Sequence, residues 1–284
     1  MKGRICRGEK DFPEKVYQFS PDVKELFFEG NLALAGQLSI AIIGSRKCTT
    51  YGKTVAREIG KRAGENKVVV VSGLAKGIDT EGHIGAFSGN GKTIAVLGGG
   101  TDRFYPAENR ELQKRIGAEG LLLSEHPPGY QAQRHDFPLR NRILSAISDS
   151  VVVVEAPNRS GALITAECAV EQGKNVFAVP GNITSFYSFG TNKLIREGAD
   201  ALILIDDLFT DLGINPYLGE ERFLQLGKDE QKVLNVIQKG GEVTLDYIIH
   251  RIDMKPSEIS SIITILEMKG IIFSSMGKFF VANF

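Results

Sequence analysis

The sequence of 284 residues contains no tryptophan and three cysteines. Cys6, Cys48 and Cys168 are odd in number and widely separated, which argues against a paired disulfide framework and against the spacing of a zinc site. The four histidines are equally scattered along the chain. We therefore expect no metal and no cofactor, and a reducing cytoplasm is the simplest location for such a protein.

Long apolar runs are also missing, as is a basic N-terminal region followed by an apolar segment. These absences argue against a transmembrane helix and against a secretory signal. Neither sign of charge is in excess, because Lys+Arg and Asp+Glu both number 34 and the formal net charge is +0. Any binding of a polyanion must therefore depend on a local patch of charge and not on the field of the whole protein.

Seven short apolar runs are present between residues 39 and 206. Each is rich in Val, Ile or Leu and is continuous, as expected of strands buried on both faces. The runs are SIAIIG, VVVVSG, TIAVLG, GLLLSE, SVVVVEA, NVFAVP and ALILID. Helical patterns separate them, at 52–64, 78–89, 108–118, 139–149, 161–172 and 189–198. This alternation predicts an α/β fold in which a mostly parallel sheet has helices on both faces.

The pattern changes at both ends of this region. Residues 1–38 show no comparable periodicity, and we interpret them as an N-terminal arm and lead-in to a domain spanning 39–212. After a linker at 213–224, three amphipathic helical segments and a hairpin turning near Met276 occupy 225–284. Three helices and a hairpin in so short a segment predict a small winged-helix domain.

Glycine-rich loops follow five of the predicted strands. In an open parallel sheet, ligands bind outside the carboxyl ends of the strands, and N–H groups at helix N-termini bind phosphate oxygens directly. We therefore interpret these loops together as a phosphate-facing rim, although each one alone is also explained as a tight turn. The loops are GSR at 44–46, SGLAKGID at 72–79, GGGTDRFYP at 98–106, NRSGALITAE at 158–167 and PGNITSFYSFGTN at 180–192.

Standard nucleotide signatures do not fit these loops. GLAKG does not match the dinucleotide fingerprint G-x-G-x-x-G, and GNGKT at 89–93 lacks the first glycine of a P-loop and precedes a strand. Glu155, Glu167, Asp79 and His83 are acid–base candidates, but each has an equally good structural interpretation as a cap or a pair. The residues do not support catalysis, so we expect a binding protein and not an enzyme.

Two arginines stand in an unusual place within FPLRNR. Arg140 and Arg142 lie in the first turn of a predicted helix, where the helix dipole favours anions. They either pair with nearby acids, are merely solvated, or face a strongly anionic ligand. Further cations and aromatic rings are expected on the same rim. This combination is typical of a groove for single-stranded nucleic acid. For the rings, packing in the core is the alternative. These residues are Arg46, Lys76, Arg103, Arg159, Phe104, Tyr105, Phe137, Phe186 and Tyr187.

Several longer stretches resemble the DprA/Smf family, the bacterial DNA processing protein A. They are AIIGSRKCTTYG, SGLAKGID, FPLRNRILSAIS, SGALITAECAVEQGKNVFAVPG and GTNKLIREGA, and FFEGN at 27–31 matches the family's lead-in to its sheet. The resemblance covers roughly 12–212 continuously and, less specifically, the winged-helix tail. It implies an extended Rossmann-like domain that binds and protects single-stranded DNA, forms a homodimer, and loads the RecA recombinase during natural transformation.

The resemblance also implies which residues form the DNA pocket. They come from the GSR, SGLAKGID and FPLRNR motifs. The residues are Gly44, Ser45, Arg46, Gly73, Gly77, Phe137, Arg140, Asn141 and Arg142. At 79–83 the chain has DTEGH where the family more often has D-T-A-A-H, which leaves the role of that helix start open.

Two other functions are alternatives. A nucleotide-processing enzyme of the phosphoribohydrolase type, similar to lysine-decarboxylase-like proteins, shares this fold, and SGALITAE with Glu167 is the nearest match, although the P-G-G-x-G-T motif is missing. A duplex-DNA regulator would need a basic recognition helix, whereas SEISSIITILEMK has Glu258 and Glu267 against Lys269. Residues 221–284 carry eight Lys+Arg and eight Asp+Glu. This balance favours a protein contact over groove reading for the tail.

Overall fold

The structure is a computed structural model that describes residues 1–214, 226–269, 271–275 and 277–281. It contains two compact units, Met1–Ile214 and Asn215–Phe284. Almost all of the predicted linker, 213–224, lies outside the described residues. The boundaries that the sequence suggests for the Rossmann-like and winged-helix domains therefore stay predictions.

Nine strands form one sheet in the first unit. They are β1 (Lys2–Cys6), β2 (Glu25–Gly30), β3 (Ser39–Ile43), β4 (Val69–Ser72), β5 (Thr93–Leu97), β6 (Leu121–Ser124), β7 (Ser150–Val153), β8 (Asn175–Ala178) and β9 (Asp200–Ala201). Their order across the sheet is β1-β2-β6-β5-β4-β3-β7-β8-β9. Strands β3 to β9 are parallel to one another. All residues of β3 to β7 are buried, as their continuous apolar runs predict.

Eight α-helices accompany this sheet within residues 1–214. They are α1 (Glu14–Phe19), α2 (Thr50–Glu65), α3 (Ile78–Ser88), α4 (Arg110–Glu119), α5 (Asp136–Ile147), α6 (Gly161–Glu171), α7 (Phe189–Arg196) and α8 (Ile205–Asp211). Short 3-10 turns occupy Leu32–Gly36, Ala107–Asn109 and Phe186–Ser188. The six helices predicted from sequence periodicity correspond to α2 to α7 and are confirmed.

Both faces of the sheet are covered by apolar contacts. Val96 of β5 belongs to one buried cluster together with Ile143 of α5. Its neighbour Leu97 belongs to a second cluster together with Phe87 of α3. Because successive residues of a strand point to opposite faces, α5 and α3 lie on opposite sides of the sheet. The prediction of a mostly parallel sheet with helices on both faces is confirmed.

The expectation of an N-terminal arm is wrong, because residues 1–38 extend the sheet. β2 pairs antiparallel with β6, and β1 pairs antiparallel with β2. Burial alternates along β2, whose segment ELFFEG has one covered face. Alternating strands of this kind are typical of antiparallel edges and give a weaker signal than continuous apolar runs.

The last predicted strand, ALILID, is much shorter than expected. β9 has only two residues, and α8 begins at Ile205 inside the apolar run. Asp207 accepts a hydrogen bond from the N–H of Leu204 at 3.0 Å, and Asp206 forms an ion pair with the buried Arg62 of α2. Acidic residues in a first turn stabilise a helix N-terminus, so these contacts end the strand early.

The order of strands reverses at β3, whose two neighbours are β4 and β7. Ligands of open α/β sheets bind in the crevice outside the carboxyl ends of the strands at such a switch point. The loops that follow β3, β4 and β7 all begin there. The fold therefore brings the GSR, SGLAKGID and NRSGALITAE segments to one place.

Within its described residues, the second unit has three helices and a small antiparallel sheet. Its elements are α9 (Lys228–Gly240), β10 (Val243–Thr244), α10 (Leu245–Ile249), α11 (Pro256–Met268), β11 (Ile272–Ser275) and β12 (Lys278–Val281). The strand order is β10-β12-β11, and β11 with β12 forms the predicted hairpin. This arrangement confirms the predicted winged helix. Met276, where we placed the turn, lies outside the described residues.

None of the helices in the described segments is long and apolar enough to cross a membrane.

Candidate nucleic-acid interface

A cavity of about 800 Å³ opens at the switch point between β3 and β7. Its walls come from the loops after β3, β4 and β7, from the start of α5, and from the 3-10 turn before α7. Six of the nine residues predicted for the DNA pocket line it. They are Gly44, Ser45, Arg46, Phe137, Arg140 and Asn141. The structure therefore brings together residues that are nearly one hundred positions apart in the sequence.

Four exposed cations stand around the cavity. Arg46, Lys47, Arg134 and Arg159 all belong to its lining, and none of them forms an ion pair with another residue in the parts of the chain that the structure describes. Among the described lining residues, Asp79 supplies the one carboxylate. The cavity is thus locally basic in a chain without net charge.

Aromatic rings form a ledge beside these cations. The guanidinium carbon of Arg46 lies 5.3 Å from the ring centroid of Phe137. The rings of Phe137 and Tyr105 are 5.2 Å apart and inclined by 40°. Phe186, which is 70% exposed, and Tyr187 line the cavity as well. Exposed rings next to unpaired guanidinium groups are suited to stacking unpaired bases above a phosphate backbone.

The start of α6 adds backbone donors to the same wall. Ser160 precedes the helix and accepts a hydrogen bond from the N–H of Ala162 at 3.3 Å. The first turn contains no acidic residue, and Arg159 stands just before it. Ser160, Gly161 and Ala162 line the cavity. The positive end of this helix dipole therefore adds to the charge of Arg159.

Arg140 lies in the floor of the cavity and not on its rim. It is 7% exposed, and its Nη1 donates to the carbonyl oxygen of Gly73 at 2.8 Å and to that of Val96. Its Nε donates to Oδ1 of Asn141 at 3.2 Å. Burial lowers the pKa of Arg140 to about 10, against the opposing effect of the Asp79 charge. The side chain is therefore charged at neutral pH and already holds protein acceptors.

Asp79 is a buried carboxylate whose charge acts on Arg140. Its carboxylate accepts hydrogen bonds from the N–H groups of Gly73 and Ala75, both at 3.2 Å. Burial raises the pKa of Asp79, whereas the charge of Arg140 and these two hydrogen bonds lower it. The hydrogen bonds of Asp79 brace the SGLAKGID loop, and the hydrogen bond from Arg140 to the carbonyl oxygen of Gly73 ties that loop to the start of α5.

Gly73 and Gly77 do not line the cavity, although both were predicted as pocket residues. A Cβ at Gly73 would lie 2.1 Å from Nη2 of Arg140. Gly77 has a φ of 81°, and a Cβ there would lie 2.4 Å from the carbonyl oxygen of Ser45. Both glycines allow the SGLAKGID loop to pack beneath the cavity. The two glycines therefore lie beneath the predicted DNA pocket and not on its surface.

Arg142 also lies away from the cavity. Its Nε is 2.7 Å from Asp22 and its Nη2 is 2.8 Å from Glu125. The pairing with acids that the sequence left open is confirmed for Arg142, with Asp22 and Glu125 as the acids. Residues two positions apart in an α-helix point about 200° apart, so Arg140 and Arg142 cannot both face one ligand. The inward direction of Arg140 leaves Arg142 on the other side of α5.

Three other residues that were expected beside the cavity do not line it. Lys76 pairs with Glu108, and Nε of Arg103 donates to the carbonyl oxygen of Gly129 at 3.0 Å. Phe104 lies 4.8 Å beneath the guanidinium of Arg110. None of Lys76, Arg103 and Phe104 belongs to the described lining of the cavity.

Two cations of the cavity, Lys47 and Arg134, were not predicted from the sequence. Lys47 directly follows Arg46, so its position in the same loop was a usable signal. Arg134 belongs to the loop between β6 and α5, which carries no recognisable motif. That loop ends at Asp136, a buried carboxylate that accepts the N–H of Gln133 at 2.7 Å and the hydroxyl of Tyr130 at 3.1 Å.

Comparison with known proteins shows which family has this architecture. The family model for DNA recombination-mediator protein A matches residues 3–213. The chain belongs to this family. The model of the DprA winged helix domain matches residues 224–278 of the second unit. The DNA processing protein DprA of Streptococcus pneumoniae is 47% identical over 187 residues, 66% of this chain and 66% of that protein. The Bacillus subtilis DprA is 43% identical over 206 residues, 72% of this chain and 69% of that protein.

Two solved structures of DprA proteins agree with the fold. The S. pneumoniae structure has a TM-score of 0.71 at 41% identity and covers 74% of each chain. The Helicobacter pylori structure has a TM-score of 0.67 at 28% identity and covers 75% of this chain and 98% of that one. The latter is described as showing a single-stranded DNA binding mode. The chain spans about two thirds of the length of the two curated relatives.

The structure offers no support for the alternative of a phosphoribohydrolase-type enzyme in the described cavity. Glu167, its best candidate for catalysis, is exposed on α6 and is not among the described residues that line the cavity. Within the same described segments, no group of three or more His, Cys, Asp or Glu side chains is arranged to hold a metal ion.

Proposed function

We propose that this chain binds single-stranded DNA in the cavity at the switch point and processes DNA during natural transformation. The observation that carries the proposal is the convergence of Arg46, Lys47, Arg134 and Arg159 on one crevice beside the Phe137–Tyr105 ledge. The cations match a phosphate backbone, and the rings match bases that are not paired. The binding mode named for the H. pylori relative supports the same ligand.

The roles of the predicted residues follow from their positions. Arg46 and Phe137 contact the DNA strand directly, and Gly44, Ser45 and Asn141 shape the cavity wall around them. Lys47, Arg134 and Arg159 join the direct contacts. Arg140, Gly73 and Gly77 support the floor, and Arg142 stabilises α5 through its ion pairs with acids.

The proposal extends to partners. We propose that the bound strand is protected and delivered to the RecA recombinase in the cytoplasm, that the chain forms a homodimer through its Rossmann-like domain, and that it acts without catalysis. The domain boundaries proposed for these roles are 39–212 and 225–284. The exposed face of α11 carries the hydroxyls of Ser257, Ser260 and Ser261 and no cation, which supports protein contact in place of groove reading for the second unit.

The experiment is a salt titration of binding to oligo-dT of several lengths and to duplex of equal length. We expect tighter binding to the single strand at every salt concentration, because stacking needs unpaired bases. A matched control is Lys114→Ala, which removes an exposed cation outside the described cavity lining. Equal affinity for both forms of DNA would overturn the proposal.

A further inference from the structure

Glu155 is a buried carboxylate that the proposed binding site does not use. It follows β7, is 3% exposed, and is not among the described residues that line the cavity. In those same residues no Lys, Arg or His forms an ion pair with it. Burying a carboxylate is costly unless hydrogen bonds satisfy it. The hydrogen-bond donors that satisfy Glu155 therefore indicate what it does in the structure.

All of those partners belong to the loop that follows β3. The carbonyl oxygen of Glu155 accepts the N–H of Ser45 at 2.7 Å. Its Oε2 accepts the N–H of Thr49 at 2.8 Å, and its Oε1 accepts the Thr49 hydroxyl. Two donors directed at one carboxyl group match an ionised carboxylate, which only accepts. One residue thus holds both ends of segment 45–49.

The middle of this segment carries the cations. Arg46 and Lys47 are exposed, and the loop between its two fixed ends is braced by Ser45, whose Oγ donates to the carbonyl oxygen of Lys47 at 2.6 Å and accepts its N–H at 3.2 Å. The two anchor points hold the backbone on either side of Arg46 and Lys47. The Arg46 guanidinium then reaches the ring of Phe137.

Gly52 and Thr49 fit this arrangement closely. A Cβ at Gly52 would lie 2.5 Å from Oε2 of Glu155, so the carboxylate has its place only against a glycine. The N–H of Gly52 donates to the Thr49 hydroxyl at 3.1 Å, which in turn donates to Glu155. The buried charge is therefore linked to the N-terminus of α2, where an anion is stabilised.

We propose that Glu155 is a positioning residue for DNA binding, which fixes the loop that presents Arg46 and Lys47 to the cavity. This inference rests on the proposed function. If Glu155 acts in this way, its removal should change DNA affinity in the direction opposite to that expected from its charge alone. Removing a negative charge near a polyanion site strengthens binding electrostatically, whereas releasing the loop weakens it.

The test is the isosteric substitution Glu155→Gln in the full chain, measured by oligo-dT binding. An amide cannot accept both Thr49 donors without turning its own N–H groups toward one of them. We expect affinity to fall about tenfold, which corresponds to about 1.4 kcal/mol. Glu167→Gln, on the exposed face of α6, is the matched control for the same change of charge, and we expect it to leave affinity unchanged or slightly raised.

A double-mutant cycle separates positioning from general stability. In an R46A/K47A background, E155Q should cause no further loss, because a loop without its cations has nothing left to place. Unchanged or tighter binding by E155Q, or an equal loss in both backgrounds, would overturn the proposal. Thr49→Ser keeps the hydroxyl and should bind normally, while Thr49→Val should imitate E155Q, so the conclusion does not depend on one variant folding.

Hydrogen exchange distinguishes failure of this inference from failure of the proposed function. Wild-type protein that does not bind oligo-dT, or that binds as well after R46A/K47A, would contradict the DNA site itself. In that case the exchange of the Ser45 and Thr49 amides still decides whether Glu155 holds the loop. Faster exchange of both amides in E155Q supports the anchoring, and equal exchange in the two proteins overturns it.

Discussion

The Arg46 guanidinium lies 5.3 Å from the centroid of the Phe137 ring, although Arg46 belongs to the loop after β3 and Phe137 to the first turn of α5. An arginine over an aromatic face is attracted to it and still keeps its N–H groups for an anion. A phosphate group that binds Arg46 and a base that stacks on Phe137 would therefore lie next to each other in the cavity.

Arg46→Ala should weaken binding of all single-stranded sequences alike. If Arg46 contacts one phosphate, the slope of log affinity against log salt should also flatten by about 0.7, the value for single strands. Arg46→Lys should restore binding only in part, because lysine lacks the planar fork that stacks on the ring. Fluorescence anisotropy with labelled oligo-dT at four salt concentrations measures both quantities. An unchanged slope in R46A would mean that Arg46 does not touch the backbone.

Arg140→Ala should act mainly on stability. The substitution leaves the buried Asp79 without the nearby charge of Arg140 and leaves the carbonyl oxygens of Gly73 and Val96 without their donor, and each buried acceptor left unsatisfied costs about 1–3 kcal/mol. Arg140→Lys should not restore the free energy of unfolding, because an ammonium group cannot reproduce the same fork of hydrogen bonds. Urea denaturation is the measurement. Arg142→Ala, which breaks more exposed ion pairs, is the control and should lose clearly less.

His83 should make the protein less stable as the pH falls below about 6.5, the ordinary pKa of histidine. Burial, followed by the charge of Arg140, lowers the pKa of His83 to about 3. Between these two values the unfolded chain binds a proton that the folded chain does not, so the free energy of unfolding falls by up to about 1.4 kcal/mol per pH unit. His83→Gln should show a flatter decline between pH 6.5 and 5 in parallel denaturation curves. Equal slopes would contradict the assignment.

The second unit should be dispensable for binding single strands. The first unit, Met1–Ile214, contains the whole described cavity and its own core, and α11 offers no exposed cation that would add a phosphate contact. A chain ending at Ile214 should keep its affinity for oligo-dT within a few-fold in the anisotropy assay. A loss above about tenfold, or about 1.4 kcal/mol, in a folded truncated protein would contradict this.

The sheet was predictable where local pattern and burial agree. VVVVS and TIAVL are continuous apolar strands, and their helices begin at polar or glycine residues that the sequence displays. ELFFEG was missed because only one face of β2 is fully buried, so the strand lacks the continuous burial of the central strands. ALILID was misread because the helix start at Ile205 depends on the pairing of Asp206 with Arg62, 144 residues earlier in the chain.

The candidate site was predictable in its loops but not in its side-chain directions. The sequence places Arg140 and Arg142 in one helical turn, and the geometry of a helix forbids both from facing one ligand. Which of the two turns inward is decided by the carbonyl oxygens of Gly73 and Val96, which are 67 and 44 residues away in sequence. No local pattern contains that information.

Photo-crosslinking tests the central claim most directly. Oligo-dT containing 5-iodouracil should crosslink to an aromatic residue with which a base stacks, and mass spectrometry identifies the peptide. The account predicts that the main crosslinked peptide carries Phe137 or Tyr105, and that Phe137→Leu abolishes or moves the crosslink. A main crosslink in residues 226–281, unaffected by F137L, would contradict the placement of single-stranded DNA in the cavity between β3 and β7.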